Sequence, residues 1–168
     1  MIINLNEIII KQDELDREIL LNSNTNYSDT FNERKLAILV ELGELSNEIR
    51  SFKYWSVKSG SESCVILEEY VDTIHFISGF CVQYQIAPTF EIPDNIRLLA
   101  KKEITKKINK LFKLITKLKE NKNNVKIIKK FYKKYLEFGY GLGYTIEDIK
   151  NAYDKKNLIN HTRQDNKY

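Results

Sequence analysis

Two stretches of this chain each carry a pair of carboxylates three residues apart: Glu41 with Glu44, and Glu69 with Asp72. Carboxylates at i and i+3 share one face of a helix. A single such pair usually marks a solvated face, but two pairs on successive helices could face each other across a gap. Four like charges gathered beside a core are untenable alone, because desolvation and mutual repulsion force protonation. A hard divalent cation resolves the conflict. Mg²⁺ takes carboxylate oxygens, keeps several waters and is completed by the phosphates of a substrate. A carboxylate that also touches a water, Glu41 or Glu44, could orient it and take its proton. Glu48, one turn further on, could ligate or support a ligand. A di-iron bundle would need Glu-x-x-His pairs on two helices. The chain offers only Asp72-x-x-His75 and has two histidines in all, so the donor set favours Mg²⁺.

The helices that must hold these groups are readable from apolar spacing. Ile38, Leu42, Leu45 and Ile49 recur at i, i+4, i+7 and i+11, within about 40° of one another at 100° per residue. Glu41, Glu44 and Glu48 follow roughly 95° around, bordering the core. Ile66, Tyr70, Ile74 and Ile77 form a second stripe, with Glu69, Asp72 and then Phe76 beside it. A connection of about a dozen residues makes the two helices antiparallel neighbours and sets the carboxylate pairs against each other. Further helices are predicted over residues 5–21, about 94–120, 125–138 and 145–158. Thr30 or Asn32 caps the second helix, and Thr145 with Asp148 caps the last. Polar loops cover 22–30, 51–61, 121–124 and 139–144, and the segment after residue 158 is a tail. No strand of useful length alternates. The fold class is therefore all-α, a helical bundle. Residues 1–168 form one domain: catalytic helices at about 31–85, a Lys-rich helical hairpin at about 94–138, and a C-terminal helix and tail at 145–168.

Composition narrows the classes. With 168 residues, 42% hydrophobic content and only 6 Gly and 2 Pro, the chain is neither fibrous, disordered nor turn-rich β. It has no Gly-rich phosphate loop. Cys64 and Cys81 make no metal or disulfide pattern and suit a reducing cytoplasm. The apolar start lacks the features of a signal peptide, and no run is long enough to span a membrane. The charge is uneven: residues 101–134 hold fourteen Lys and two Glu, and the rest of the chain is net acidic. Ile104, Ile108, Leu111, Ile115 and Leu118 form one apolar stripe there, so the lysines read as a solvated coat. Arg, the better reader of phosphate and guanine, is rare, and a nucleic-acid partner is not expected; the competing reading is a non-enzymatic helical protein that binds a partner or nucleic acid through this Lys-rich region. The bias towards Lys, Ile and Asn fits an AT-rich genome, such as a low-GC bacterium or its phage.

The run from Arg34 to Glu48 (RKLAILVELGELSNE), followed by Phe52-Lys53-Tyr54-Trp55-Ser56, resembles the first metal motif of the dimeric, all-α dUTPases. Glu68-Glu69-Tyr70-Val71-Asp72-Thr73-Ile74-His75-Phe76 is similar to their second. Asn160-His161-Thr162-Arg163-Gln164 resembles the C-terminal phosphate-binding motif, though the chain ends Lys167-Tyr168 where the family often ends Gly-Tyr. Gln12 to Asp16 (QDELD) resembles the N-terminal motif that helps hold the base. ExxE with ExxD alone would indicate only the wider MazG-like pyrophosphatases.

The resemblance implies hydrolysis of dUTP, with dUDP a further candidate, to dUMP by an intertwined homodimer. Glu41, Glu44, Glu69 and Asp72 would hold two or more Mg²⁺ ions. Lys53, Lys58, Asn160, Arg163 and Gln164 are candidate phosphate contacts, and Arg163 on a mobile tail could close over the substrate. Gln12 could pair with the uracil edge, and Trp55 could stack on the base or anchor an interface. Asn47 and His75 are further base-pocket candidates.

Overall fold

The computed structural model describes residues 1–166. In chain order it contains β1 (Ile2–Asn4), α1 (Asn6–Asn22), α2 (Phe31–Ile49), α3 (Ser63–Gln83), β2 (Thr89–Glu91), α4 (Lys101–Ile115), α5 (Val125–Leu142) and α6 (Ile146–Asp165). Six helices dominate, so the all-α class read from the sequence is the class observed. Lys167 and Tyr168, the end of the C-terminal motif, lie outside the described residues.

α3 is the axis of the bundle. It packs against α1, α2, α5 and α6, and its Tyr70, Val71, Ile74, Ile77 and Phe80 are fully buried. Each such side chain contributes roughly 1.5–3 kcal/mol of apolar burial. Tyr70 and Tyr135 of α5 stack with ring centroids 4.3 Å apart. Each hydroxyl donates to the other residue's backbone carbonyl at 2.9 Å, so both buried polar groups are satisfied. This lock fixes the rotation of α3 and hence the direction in which Glu69 and Asp72 point.

α2 contributes Ile38, Leu42 and Leu45 to the same core. Arg50 ends the helix in the left-handed conformation (φ 59°). The following loop then folds back: the Ser61 amide donates to the Glu48 carbonyl at 2.9 Å. A Cβ on Gly60 would lie 2.8 Å from the Ile49 carbonyl oxygen, so only glycine permits this approach. α3 therefore starts beside the end of α2 and runs antiparallel to it, as the short connection predicts.

Four boundaries differ from the sequence reading. β1 and β2 form a small antiparallel ribbon with Ile3 opposite Phe90; three-residue strands are too short to register as an alternation. α4 begins at Lys101, not near 94, because the Leu99 amide donates to the Gly141 carbonyl at 2.9 Å and holds residues 94–100 across α5. α5 continues through the expected loop to Leu142 and stops at Gly143 (φ 101°). Gly139 stays helical because a Cβ there would strike the Tyr70 ring: its small size serves packing, not a turn. α6 also runs on, to Asp165, so Asn160, Arg163 and Gln164 sit on a helix and not on a mobile tail. Its last turns expose Leu158 and Ile159 and turn Asn160, His161 and Gln164 partly inward, so no inward apolar stripe marked them. Ion pairs from α1 hold it in place, Lys11–Asp154 at 2.6 Å and Glu7–Lys150 at 3.2 Å, with Glu18 Oε2 in hydrogen-bond contact with His161 Nδ1 at 2.6 Å.

Candidate active site

The lock on α3 and the antiparallel α2 bring three carboxylates together. Glu41, Glu69 and Asp72 each offer an oxygen, and these atoms lie within 4.8 Å of one another. Glu69 Oε2 is buried without a hydrogen-bond partner. Glu44 is exposed at the rim, where its negative charge still raises the pKa of Glu41 and Glu69. Glu48 is turned to the loop and accepts a hydrogen bond from the Ser61 hydroxyl.

The cluster is under electrostatic stress. Burial, then the charges of Asp72, Glu44 and Glu69, push the Glu41 carboxyl up to about 7, with Lys156 partly offsetting them. Burial also raises Glu69 and Asp72. A cation already sits at the cluster, because Lys156 of α6 donates to Asp72 Oδ2 at 2.6 Å. An orphaned carboxylate oxygen and raised carboxyl pKa values within an all-oxygen donor set fit a hard divalent ion.

Beside the cluster opens a cavity of about 330 Å³ whose walls include Glu41, Asp72, Gln12, His75 and Phe76. Asp16, Tyr27 and Arg34 line it as well, as do Lys156, Asn160, Arg163 and Gln164. A hydrogen-bond chain fixes the polar floor. Gln12 Nε2 donates to Asp16 Oδ1 at 2.6 Å, which points the amide oxygen the other way. That oxygen accepts from the Tyr153 hydroxyl at 2.8 Å and faces His75 Nδ1 at 2.9 Å. His75 Nδ1 must then carry the proton, leaving Nε2 a bare acceptor. Nε2 is buried and has no partner. Burial and then the Lys156 charge push the His75 pKa down to about 3, so the ring stays neutral. The imidazole is held flat against the Tyr153 ring, centroids 4.0 Å apart.

A family model described as dUTPase matches residues 4–168. The chain belongs to the all-α dUTPase family. It is a hydrolase of the triphosphate anhydride bonds, a dUTP diphosphatase. No curated protein matches the chain closely enough to refine this.

Measured against the sequence reading, the cavity gathers Gln12, His75, Asn160, Arg163 and Gln164 beside the carboxylates. The loop after α2 carries the remaining candidates elsewhere. Lys53 donates to Asn47 Oδ1 and lies over the Phe52 ring. Asn47, Trp55 and Lys58 are exposed and line no wall of the cavity. Gln12 is placed differently from expectation: both its oxygen and one amide hydrogen are committed within the protein, so it orients His75 more than it offers an edge to a base.

Tyr27, Tyr153 and Lys156 were not picked out in the sequence, and Asp16 and Arg34 stood in the motifs without a role of their own. Two carried a usable signal. Arg34 lies seven residues before Glu41 on the same face of α2. Lys156, Asn160 and Arg163 are spaced 4 and 3, one helical stripe, visible once residues 159–165 are recognised as helix. Arg34 is held by the Tyr27 carbonyl and Gln83 Oε1, both at 2.7 Å, and lies over the Tyr27 and Phe80 rings. Asp16 accepts from Tyr27 at 2.8 Å and is raised in pKa by burial. Gly79 lets it approach α3, since a Cβ there would meet Asp16 Oδ2 at 2.7 Å.

Proposed function

We propose that this chain hydrolyses dUTP to dUMP and pyrophosphate with Mg²⁺ held by Glu41, Glu69 and Asp72, and with Glu44 completing the set at the rim. The observation that carries the reading is the three converging carboxylates with Lys156 at their edge, next to a cavity lined by a histidine that burial keeps neutral. When bound there, Mg²⁺ would offset phosphate charge and supply an acidified water. Glu41 or Glu44, as a carboxylate that can also touch that water, would orient it and take its proton. Lys156 leaves Asp72 for a substrate phosphate, and Arg163 adds a planar, two-pronged grip on phosphate oxygens. Asn160 and Gln164 supply neutral donors in the same cavity.

The base enters towards α1 and α3. His75 Nε2 accepts the N3–H of uracil. Cytosine presents a lone pair at N3, which would meet the His75 lone pair and leave both buried acceptors unpaired. Gln12 and Tyr153 enforce the tautomer and so the selection.

The whole chain acts as one domain, and two copies assemble. Leu36 and Val40 on one face of α2, with Phe52, Tyr54, Trp55 and Val57 on the next loop, are exposed apolar side chains along one stretch of chain. A second copy would cover them, giving Trp55, Lys53, Lys58 and Asn47 an interface role. Among the described residues no helix is long and apolar enough to cross a membrane; we place the enzyme in the cytoplasm with the nucleotide pool.

Pyrophosphate release across dUTP, dTTP, dCTP, dATP, dGTP and UTP, with and without EDTA, tests the reading. EDTA-sensitive turnover of dUTP above all others is expected. Equal turnover of dCTP would overturn the base assignment, and turnover unaffected by EDTA would overturn the metal assignment.

A further inference from the structure

A second cavity, of about 340 Å³, lies between α4 and α5. Its walls carry Lys107, Lys110, Lys113 and Lys117 from α4 and the turn after it, and Lys130 and Lys134 from α5. Its floor is Leu111 and Leu114. Apolar spacing alone reads these lysines as a solvated coat; the structure adds their convergence on one groove. Among the described residues, Lys134 alone of the six makes an ion pair, to Glu137 at 2.6 Å. The two acids of the 101–134 block do not line the groove, although the Lys107 charge also acts on Glu103. Glu103 accepts from Arg97 at 2.6 and 2.9 Å and from the Ala100 amide at 3.0 Å. Glu120 accepts from Asn32 at 3.0 Å. Five like charges without an ion pair are thus left concentrated beside Lys134, and a polyanion is the natural counter-charge.

We propose that this groove binds the sugar–phosphate backbone of a nucleic acid, without reading its sequence. Lys110 and Lys113 rise about 4.5 Å apart along α4, and Lys130 and Lys134 about 6 Å apart along α5. That density can meet successive or alternate phosphates, which rise about 3.4 Å apart along each strand. Lysine is a flexible point charge that neutralises phosphate without the planar fork used on guanine. The floor holds no aromatic ring, so base stacking is not part of the grip. A lipid surface fits less well. Among the described residues no large apolar side chain is exposed between Leu98 and Leu158, so this face has nothing to insert into a bilayer. The groove shares no residue with the carboxylate cavity, so a bound backbone and a turning-over nucleotide would not compete.

The test is fluorescence anisotropy of the full chain with a labelled mixed-sequence oligonucleotide, single-stranded and duplex, over 50–300 mM NaCl. Lys110→Gln/Lys113→Gln/Lys130→Gln is the weakened variant, and its dUTP turnover and thermal melt report the fold. Binding should fall steeply with salt. The triple variant should weaken it at least tenfold at 50 mM and flatten the log–log salt slope by about 2–3, with turnover within twofold of wild type. Absence of binding at 50 mM NaCl, or equal binding by the folded triple variant, would overturn the proposal. So would capture of anionic phosphatidylserine vesicles with the same lysine dependence but no oligonucleotide binding. Competition by inorganic triphosphate at equal phosphate concentration and equal strength would reassign the groove to small anions. An inactive wild type that still binds the oligonucleotide would count against the hydrolase reading alone.

Discussion

The acidic cleft and the lysine hairpin are built from the same device, a helix with an apolar stripe and charges beside it, yet they treat charge in opposite ways. In the cleft, α2 and α3 turn their charged edges towards each other. Carboxylates end up half-buried, raised in pKa and short of partners, with Lys156 standing among them. In the hairpin, α4 and α5 turn their apolar stripes inward, with Ile108, Leu111, Ile115, Ile128 and Phe131 buried, and leave the lysines at the surface. Desolvation decides the difference. A charge that stays in water costs the fold little, whereas a charge drawn against the core demands a counter-ion. Chemistry therefore concentrates where charged edges face each other, and surface charge density serves long-range attraction.

Substitutions in the cleft should be severe and those in the hairpin mild. The largest effect is expected for Glu69→Gln and Asp72→Asn. Each should lower dUTP turnover by about 10²-fold or more while far-UV circular dichroism stays unchanged; normal turnover in either would dissolve the distinction between the regions. His75→Leu should come next. It removes the bare acceptor and should cut the preference for dUTP over dCTP by roughly 10–100-fold, read as a ratio of kcat/KM values. Metal should separate the regions by stability. Mg²⁺ at about a hundred times its Kd should stabilise the protein by about 2.7 kcal/mol, and the gain should vanish in Glu69→Gln but persist in the lysine triple variant.

The pH dependence has opposite signs at two points of the cleft. The folded pKa of Glu41, about 7, lies above its unfolded value, so the folded state binds the extra proton. Its contribution favours folding at low pH and is lost as pH rises from about 4.5 through 7. The folded pKa of His75, about 3, lies below its unfolded value. Its contribution is present above about pH 6.5 and is lost as pH falls towards 3. Urea unfolding of metal-free protein at pH 5 and 7 should show both components. His75→Leu should remove the acid loss, and added Mg²⁺ should remove the Glu41 component.

The smallest effect should come from single lysines. Lys113→Gln should change stability by less than about 0.5 kcal/mol and leave turnover unaltered. Lys156→Met is the informative contrast, because the same residue type in the cleft should cost turnover and unpair Asp72.

The cleft was legible in the sequence wherever a helix had one clear apolar stripe. Ile38, Leu42 and Leu45 placed Glu41, and Tyr70, Ile74 and Ile77 placed Glu69 and Asp72. Legibility failed where small or polar residues serve packing. Gly139 resembles a turn residue but clears space for the Tyr70 ring. The last turns of α6 expose Leu158 and Ile159 and turn polar Asn160, His161 and Gln164 partly inward, so no inward apolar stripe marks them although ion pairs to α1 hold the helix. That one misread boundary concealed Lys156, whose alignment with Asn160 and Arg163 depends on an unbroken helix. The orientation of Gln12 was also out of reach, because it depends on Asp16, His75 and Tyr153 meeting from three helices.

The most direct test of the central claim is dUTP hydrolysis by wild type and Glu69→Gln over a Mg²⁺ titration, with isothermal calorimetry of Mg²⁺ on both proteins. Wild type should turn over dUTP only with Mg²⁺ and bind the ion without nucleotide, and the folded Glu69→Gln variant should lose both properties together. Mg²⁺ binding and hydrolysis that both survive in Glu69→Gln would contradict the account.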